Sequence, residues 1–189
     1  MQNQSSKAAL LVLDMQNGMV SRFAGNEAML RPNQKAIESA RAHHIPVIFV
    51  RLGFSKGYPE INQGHPTYAR VAGYGDMTIF DEATQIHPSV QPLENEPVVT
   101  KYRISAFSGS NLEMILKAQE IDTLILSGIT TSGVVLSTLR EAADKDYSLI
   151  VLRDACHDGN PDIHHMLMEK LFPVQAKVMT VSTWAGTLD

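Results

Sequence analysis

A chain of 189 residues with 44% hydrophobic and 19% charged residues can fill one ordinary core and is too apolar to be disordered. Its formal net charge of -4 includes no basic cluster that would suit nucleic acid, and its longest apolar run, AALLVL at 8–13, is too short to span a bilayer. The single cysteine, Cys156, excludes an internal disulfide and any cysteine zinc cluster, and the opening MQNQSSK lacks the layout of a secretory leader. These features predict one cytoplasmic domain over 1–189, with neither membrane nor nucleic acid as a partner.

The elements follow in chain order. ALLVLD (9–14) reads as a strand apolar on both faces. NQKAIESARAHH (33–44) reads as a helix, with Pro32 in its first turn and a stripe of Ile37, Ala40 and His44. PVIFVR (46–51) is the second strand. The stretch 53–96, with its Gly, Pro, Asn and Tyr and weak periodicity, suits a covering or lid and is a candidate surface for self-association. PVVTK (97–101) is the third strand, and SNLEMILKAQE (110–120) is a helix whose Ser110 and Glu113 match a capping box. DTLILSG (122–128) is the fourth strand, followed by a helix over 132–145 striped by Val135, Leu139 and Ala142. SLIVLRD (148–154) is the fifth strand. DIHHMLMEKLF (162–172) is a helix behind Pro161, striped by Ile163, Met166, Leu167 and Leu171, and AKVMTV (176–181) closes the set as a strand. Strands alternating with helices predict an α/β, Rossmann-like fold: three layers around a doubly wound, mostly parallel six-stranded sheet of order 3-2-1-4-5-6.

Ligands of open parallel sheets bind beyond the carboxyl ends of the strands, where the strand order reverses. LDMQNG, TKYRISAF and GITTSGV converge there. Asp14 ends the first strand directly after apolar residues; it is either a turn or cap residue or a poorly solvated carboxylate in need of a partner. Lys101 ends the third strand, either as a solvated lysine or as that partner; the pair could pass a proton to or from a small-molecule substrate. GITTSG has the glycine spacing of a phosphate loop, but Val134 and Val135 stand where lysine and a hydroxyl residue are required, and no GxGxxG follows a strand. Nucleotides, and cofactors generally, are therefore not expected. What remains is a turn whose N–H groups suit a carboxylate or a developing oxyanion. Phe54, Phe107 and Tyr102 are either an aromatic wall for a planar substrate or core, and Arg103 is either a clamp for a substrate carboxylate or a solvated cation. His65 stands alone in its loop and His43–His44 and His164–His165 lie on helix patterns, so no metal is expected; Thr131 or Ser132 would be the nucleophile of an alternative amide hydrolase, but no histidine is placed to activate them.

ALLVLDMQNGMV (9–20), VVTKYRISAFSGSNLE (98–113), DTLILSGITTSGVVLSTLREAADKDY (122–147) and LIVLRDACHD (149–158) together resemble the isochorismatase-like hydrolase superfamily, also called cysteine hydrolases, over nearly the whole chain. The resemblance implies an Asp-Lys-Cys triad in which Asp14 and Lys101 match the first two members and Val134 occupies the place of the nucleophilic cysteine. It further implies a non-proline cis peptide between Ile129 and Thr130, substrate contacts from Ile129, Thr130, Thr131 and Val134, and assembly as a homo-oligomer, dimer or tetramer. Without a thiol, the covalent route to amides is lost. The implied chemistry is then that of the thiol-free isochorismatase branch, acid-catalysed hydrolysis of a vinyl ether; the alternative is a binding relative that keeps the pocket without turnover. Where that branch has a tyrosine after the fourth strand this chain has Thr130, and where it has a polar segment after the second strand this chain has Leu52, Gly53 and Phe54. Cys156 lies on a separate strand end and reads as a small buried residue.

Overall fold

The computed structural model describes residues 7–23 and 30–188; the opening MQNQSS, read for a leader, lies outside the described residues. Its centre is a six-stranded parallel sheet in the order β3-β2-β1-β4-β5-β6. The strands are β1 (Ala8–Leu13), β2 (Val47–Leu52), β3 (Val98–Lys101), β4 (Thr123–Ile129), β5 (Ser148–His157) and β6 (Lys177–Met179). The helices are α1 (Asn17–Phe23), α2 (Leu30–Ala42), α3 (Pro66–Ala72), α4 (Leu112–Ala118), α5 (Leu136–Asp144), α6 (Pro161–Met166) and α7 (Val181–Ala185). No described helix is long and apolar enough to cross a membrane.

Period-two alternation divides the strands between two cores, which is why the central strands are apolar on both faces. Leu11 and Leu13 of β1, with Ile48, Val50, Leu124 and Leu126, face α4 and α5; Leu10 and Val12, with Phe49 and Ile125, face α2 and α7. Val135, at the end of the turn before α5, and Leu139 and Ala142 of α5 are buried as the stripe requires, and Ile37 and Ala40 of α2 likewise. Burying each such side chain contributes about 1.5–3 kcal/mol, so these two layers hold the strand ends in register.

Local chemistry shifts four sequence expectations. His44 leaves the helical stripe because it adopts φ 56 beyond the end of α2, and it is exposed. Ser110 and Glu113 do not form a capping box: the Ser110 hydroxyl donates to the Ala106 carbonyl at 2.6 Å and accepts from Leu112 N–H at 3.2 Å, while Glu113 pairs with Lys117 and Lys145. The helix over 162–172 changes to π-type winding at Leu167–Leu171, which rotates its buried face. Leu167 and Met168 are buried there, whereas Ile163 and Met166 are exposed. The strand over 176–181 stops at Met179, because the Thr180 hydroxyl accepts from Thr183 N–H at 3.1 Å and caps α7. α7 buries Trp184 in the second core. The 53–96 stretch holds α3 and two short 3₁₀ turns, and it folds back through a parallel bridge between Phe54 and Thr78 and an antiparallel bridge between Gln16 and Ile86.

Candidate active site

The two acid–base candidates meet. Lys101 Nζ lies 2.9 Å from Asp14 Oδ2, and both side chains are almost fully buried. They sit on strands separated by β2, so with neighbouring strands ~4.8 Å apart the lysine stem has to cross the end of β2. The register allows it, since Lys101 pairs with Leu52 and Leu13 with Val50. Asp14 takes the left-handed φ of 52, which a short polar side chain tolerates, and this turns the chain off the sheet immediately after β1. Lys101 Nζ also donates to the Arg103 carbonyl at 3.0 Å. The other carboxylate oxygen, Asp14 Oδ1, is buried and has no hydrogen-bond partner among the described residues. Burial raises the proton affinity of the Asp14 carboxyl above the ordinary carboxylate value, and the Lys101 charge and hydrogen bond only partly oppose this.

β1 and β4 approach unusually closely where the strand order reverses. Leu13 pairs with Gly128, whose φ is +131, and a Cβ on that glycine would lie 2.0 Å from the Leu13 carbonyl oxygen. The Ile129–Thr130 peptide that follows is cis. The chain then winds through a π-type turn, Thr131–Val135, in which Val135 N–H donates to the Thr130 carbonyl at 3.2 Å. Gly133 leaves room here for the Thr130 hydroxyl, since a Cβ would meet Thr130 Oγ1 at 2.5 Å and force it to move. Val134 is buried in the same core cluster as Leu13 and Val99.

The other sequence candidates divide between the strand ends and the surrounding packing. Phe54 is fully buried and tilts against Tyr58 and Tyr102, with ring centroids 6.0 and 6.2 Å away. Arg103 donates to the Tyr102 and Glu60 carbonyls at 2.6 and 2.9 Å and lies 4.7 Å above the Tyr68 ring, so its guanidinium is already engaged in fastening the 53–72 segment. Phe107 stacks on Tyr147, with Lys145 Nζ 5.5 Å from its ring, within the α4–α5 core. His65 packs beside Tyr68 at 5.1 Å, and no group of three or more His, Cys, Asp or Glu among the described residues could hold a metal ion.

Two sets of positioning groups escaped the sequence reading. Gln16 is buried; its amide donates to the Leu52 and Thr84 carbonyls at 2.8 and 2.9 Å and accepts from Leu52 N–H at 2.9 Å, pinning the end of β2 and the covering stretch to the start of α1. Its signal was an uncharged amide two residues beyond the strand-ending aspartate. The second set corrects the expectation that no histidine serves the turn: His164 Nδ1 lies 2.8 Å from Thr131 Oγ1, and Asp158 Oδ2 accepts from Ser132 N–H at 2.7 Å. Polar residues at the end of β5 were a usable signal, because all strand ends of a parallel sheet share one rim.

Cys156 is buried, its Sγ 3.8 Å from the Leu126 carbonyl oxygen, and burial pushes the thiol up to about 12. At neutral pH it is therefore not a thiolate. Iodoacetamide should leave Cys156 unmodified in the native protein and alkylate it in urea, as read by intact-mass spectrometry; fast labelling of the folded chain would contradict its burial.

An open α/β sheet with a buried ionisable pair at the carboxyl ends of its strands is the architecture of a small-molecule enzyme. Residues 8–183 match the Isochorismatase domain, and the chain belongs to that family of hydrolases. It is 32% identical over 211 residues to a ureidoacrylate amidohydrolase, RutB, of Yersinia enterocolitica, covering 96% of this chain and 85% of that one. Among solved structures, an isochorismatase-like hydrolase from Alkaliphilus metalliredigens superposes with a TM-score of 0.85 at 27% identity, covering 97% of this chain and 100% of that one. N-carbamoylsarcosine amidase from Thermoplasma acidophilum superposes with a TM-score of 0.77 at 28% identity, covering 93% and 97%.

Proposed function

We propose that the protein hydrolyses a small organic substrate by proton transfer from the Asp14–Lys101 pair to the substrate, with water as the attacking group and no covalent enzyme intermediate. The observation that carries this reading is the unpartnered, buried Asp14 Oδ1 beside a lysine-bound Oδ2, in a site where the turn offers Val134 rather than a thiol. A vinyl ether is the substrate class that needs no nucleophilic side chain. Asp14 gives its proton to the enol-ether carbon, water adds to the oxocarbenium ion, and the hemiketal collapses to a carbonyl compound and an alcohol. The proton released by the water returns to Asp14. Lys101 orients the carboxyl, Val134 keeps the floor apolar, and backbone N–H groups near Thr130 and Val134 suit an anionic substituent of the substrate such as a carboxylate.

The names of the relatives favour a second reading, hydrolysis of a ureido or amide C–N bond by the same pair and a directly attacking water. A turnover panel of vinyl ethers, N-carbamoyl compounds and simple amides separates the two. The expected result is vinyl-ether cleavage by the native chain, with Val134→Cys gaining amide hydrolysis through a thioester. Turnover of carbamoyl compounds alone by the native chain selects the second reading. Ligand binding to the native chain with no turnover of any class would show that the pocket only binds.

A further inference from the structure

The turn after β4 is tied to the neighbouring strand end by two side chains that the Asp14–Lys101 pair does not use. Thr131 is fully buried, and among the described residues His164 is the one hydrogen-bond partner of its hydroxyl. Asp158, itself buried, accepts from Ser132 N–H through Oδ2 and from Asn160 N–H through Oδ1 at 3.2 Å. The Thr131 carbonyl in turn accepts from Leu136 N–H, so an anchor at Thr131 fixes both ends of the π-type turn that contains Val134.

A neutral imidazole with its proton on Nε2 accepts the Thr131 hydroxyl proton at Nδ1. Once the ring takes a second proton, Nδ1 becomes a donor and the hydroxyl must turn its own proton away, and among the described residues no other side chain is bonded to it. We propose that His164 is a positioning residue for this turn: through Thr131 it holds Val134 and the adjoining backbone N–H groups against the Asp14–Lys101 pair, and its protonation releases them. The charged groups facing it are His157 and Arg153 from β5, Asp158 from the loop beyond β5, and His165 on its own helix. Burial, followed by the charge of His157, lowers the proton affinity of His164, and Asp158 partly opposes this. The neutral form therefore prevails at neutral pH, and the anchor weakens as pH falls through the folded-state titration of the ring.

The structural half of this inference is independent of the reaction; its catalytic half rests on the Asp14–Lys101 reading. The test is a pH titration of the full chain by heteronuclear NMR together with rate profiles of His164→Asn and Thr131→Val. Ser132 and Val134 amide shifts should move with the midpoint of the His164 ring, and they should stay flat in both variants. With a turned-over substrate, kcat should fall on the acid side in the native chain and lose that limb in His164→Asn, whose amide oxygen stands at the Nδ1 position and accepts the hydroxyl proton at every pH. His164→Ala should lower kcat by ~10²-fold with little change in KM, as expected for a misplaced turn. Amides that ignore pH, or that follow His157 or His165, overturn the inference, as does an acid limb that survives in His164→Asn. If no substrate in the panel is turned over, the amide titration still decides the role of His164, and the reading of the reacting pair fails separately. If either variant does not fold, the native titration with assigned ring midpoints remains decisive.

Discussion

On the proposed mechanism Asp14→Asn should lower kcat/KM by about 10²–10⁴-fold, the range that a positioned proton donor contributes. Asparagine keeps the volume and one oxygen for Lys101 while removing the transferable proton, so the loss reports proton transfer rather than a collapsed pocket. The pH profile supplies the sign. A general acid works in its protonated form, so the rate is retained below the apparent proton affinity of the pair and lost on the alkaline side. Burial has moved that limit upward for Asp14, and Lys101 restrains it. Lys101→Met removes the restraint, so the alkaline limb should move to higher pH while the rate falls through loss of orientation. Circular dichroism and a urea midpoint near the native value establish that each variant is folded. An Asp14→Asn protein with undiminished turnover of a verified substrate would sink the mechanism.

Gly128→Ala should be the most damaging single methyl in the chain. The added carbon would lie 2.0 Å from the Leu13 carbonyl oxygen and 2.7 Å from its carbonyl carbon, on a residue whose φ is +131. Strain at such a dihedral costs about 1–3 kcal/mol, and forcing apart a packed backbone costs about 1–3 kcal/mol more. Against a total stability of about 5–15 kcal/mol, the loss should lower Tm by ~10 °C, since 1 kcal/mol shifts a domain of this size by about 2–4 °C. Thermal melting followed by circular dichroism measures it. A native-like Tm for Gly128→Ala would mean that β1 and β4 do not meet as closely as described.

The sheet order was legible because its cause is local and repeated: each strand carries apolar residues on both faces, and helix-period segments separate one strand from the next. Asp14 and Lys101 were legible for a related reason. An ionisable residue directly after an apolar strand is chemically conspicuous, and the parallel topology leaves few places for it to go. Gln16 was harder, since an amide near a turn looks like any solvated polar residue until the end of β2 is placed beside it. His164 was hidden more deeply. It lies on a helix pattern, and the partner that gives it meaning is 33 residues away. The start of α7 was misjudged because the alternating residues AKVMTV read naturally as a strand, while the stop comes from one hydroxyl, that of Thr180, capping the next helix. Arg103 and Phe107 show the converse. Their chemistry left ligand contact and packing equally open, and the structure supplies Arg103 with the Tyr102 and Glu60 carbonyls and Phe107 with the Tyr147 ring as partners.

The pairing of β1 has a consequence for biosynthesis. One edge of this strand meets β2, its near neighbour in sequence, but the other waits for β4, with Ala8 opposite Thr123. As the chain leaves the ribosome, the N-terminal half carries a greasy, half-paired ribbon for as long as it takes to synthesise everything up to β4. That interval, rather than the finished molecule, is when the nascent polypeptide is most open to misassociation and most in need of a chaperone.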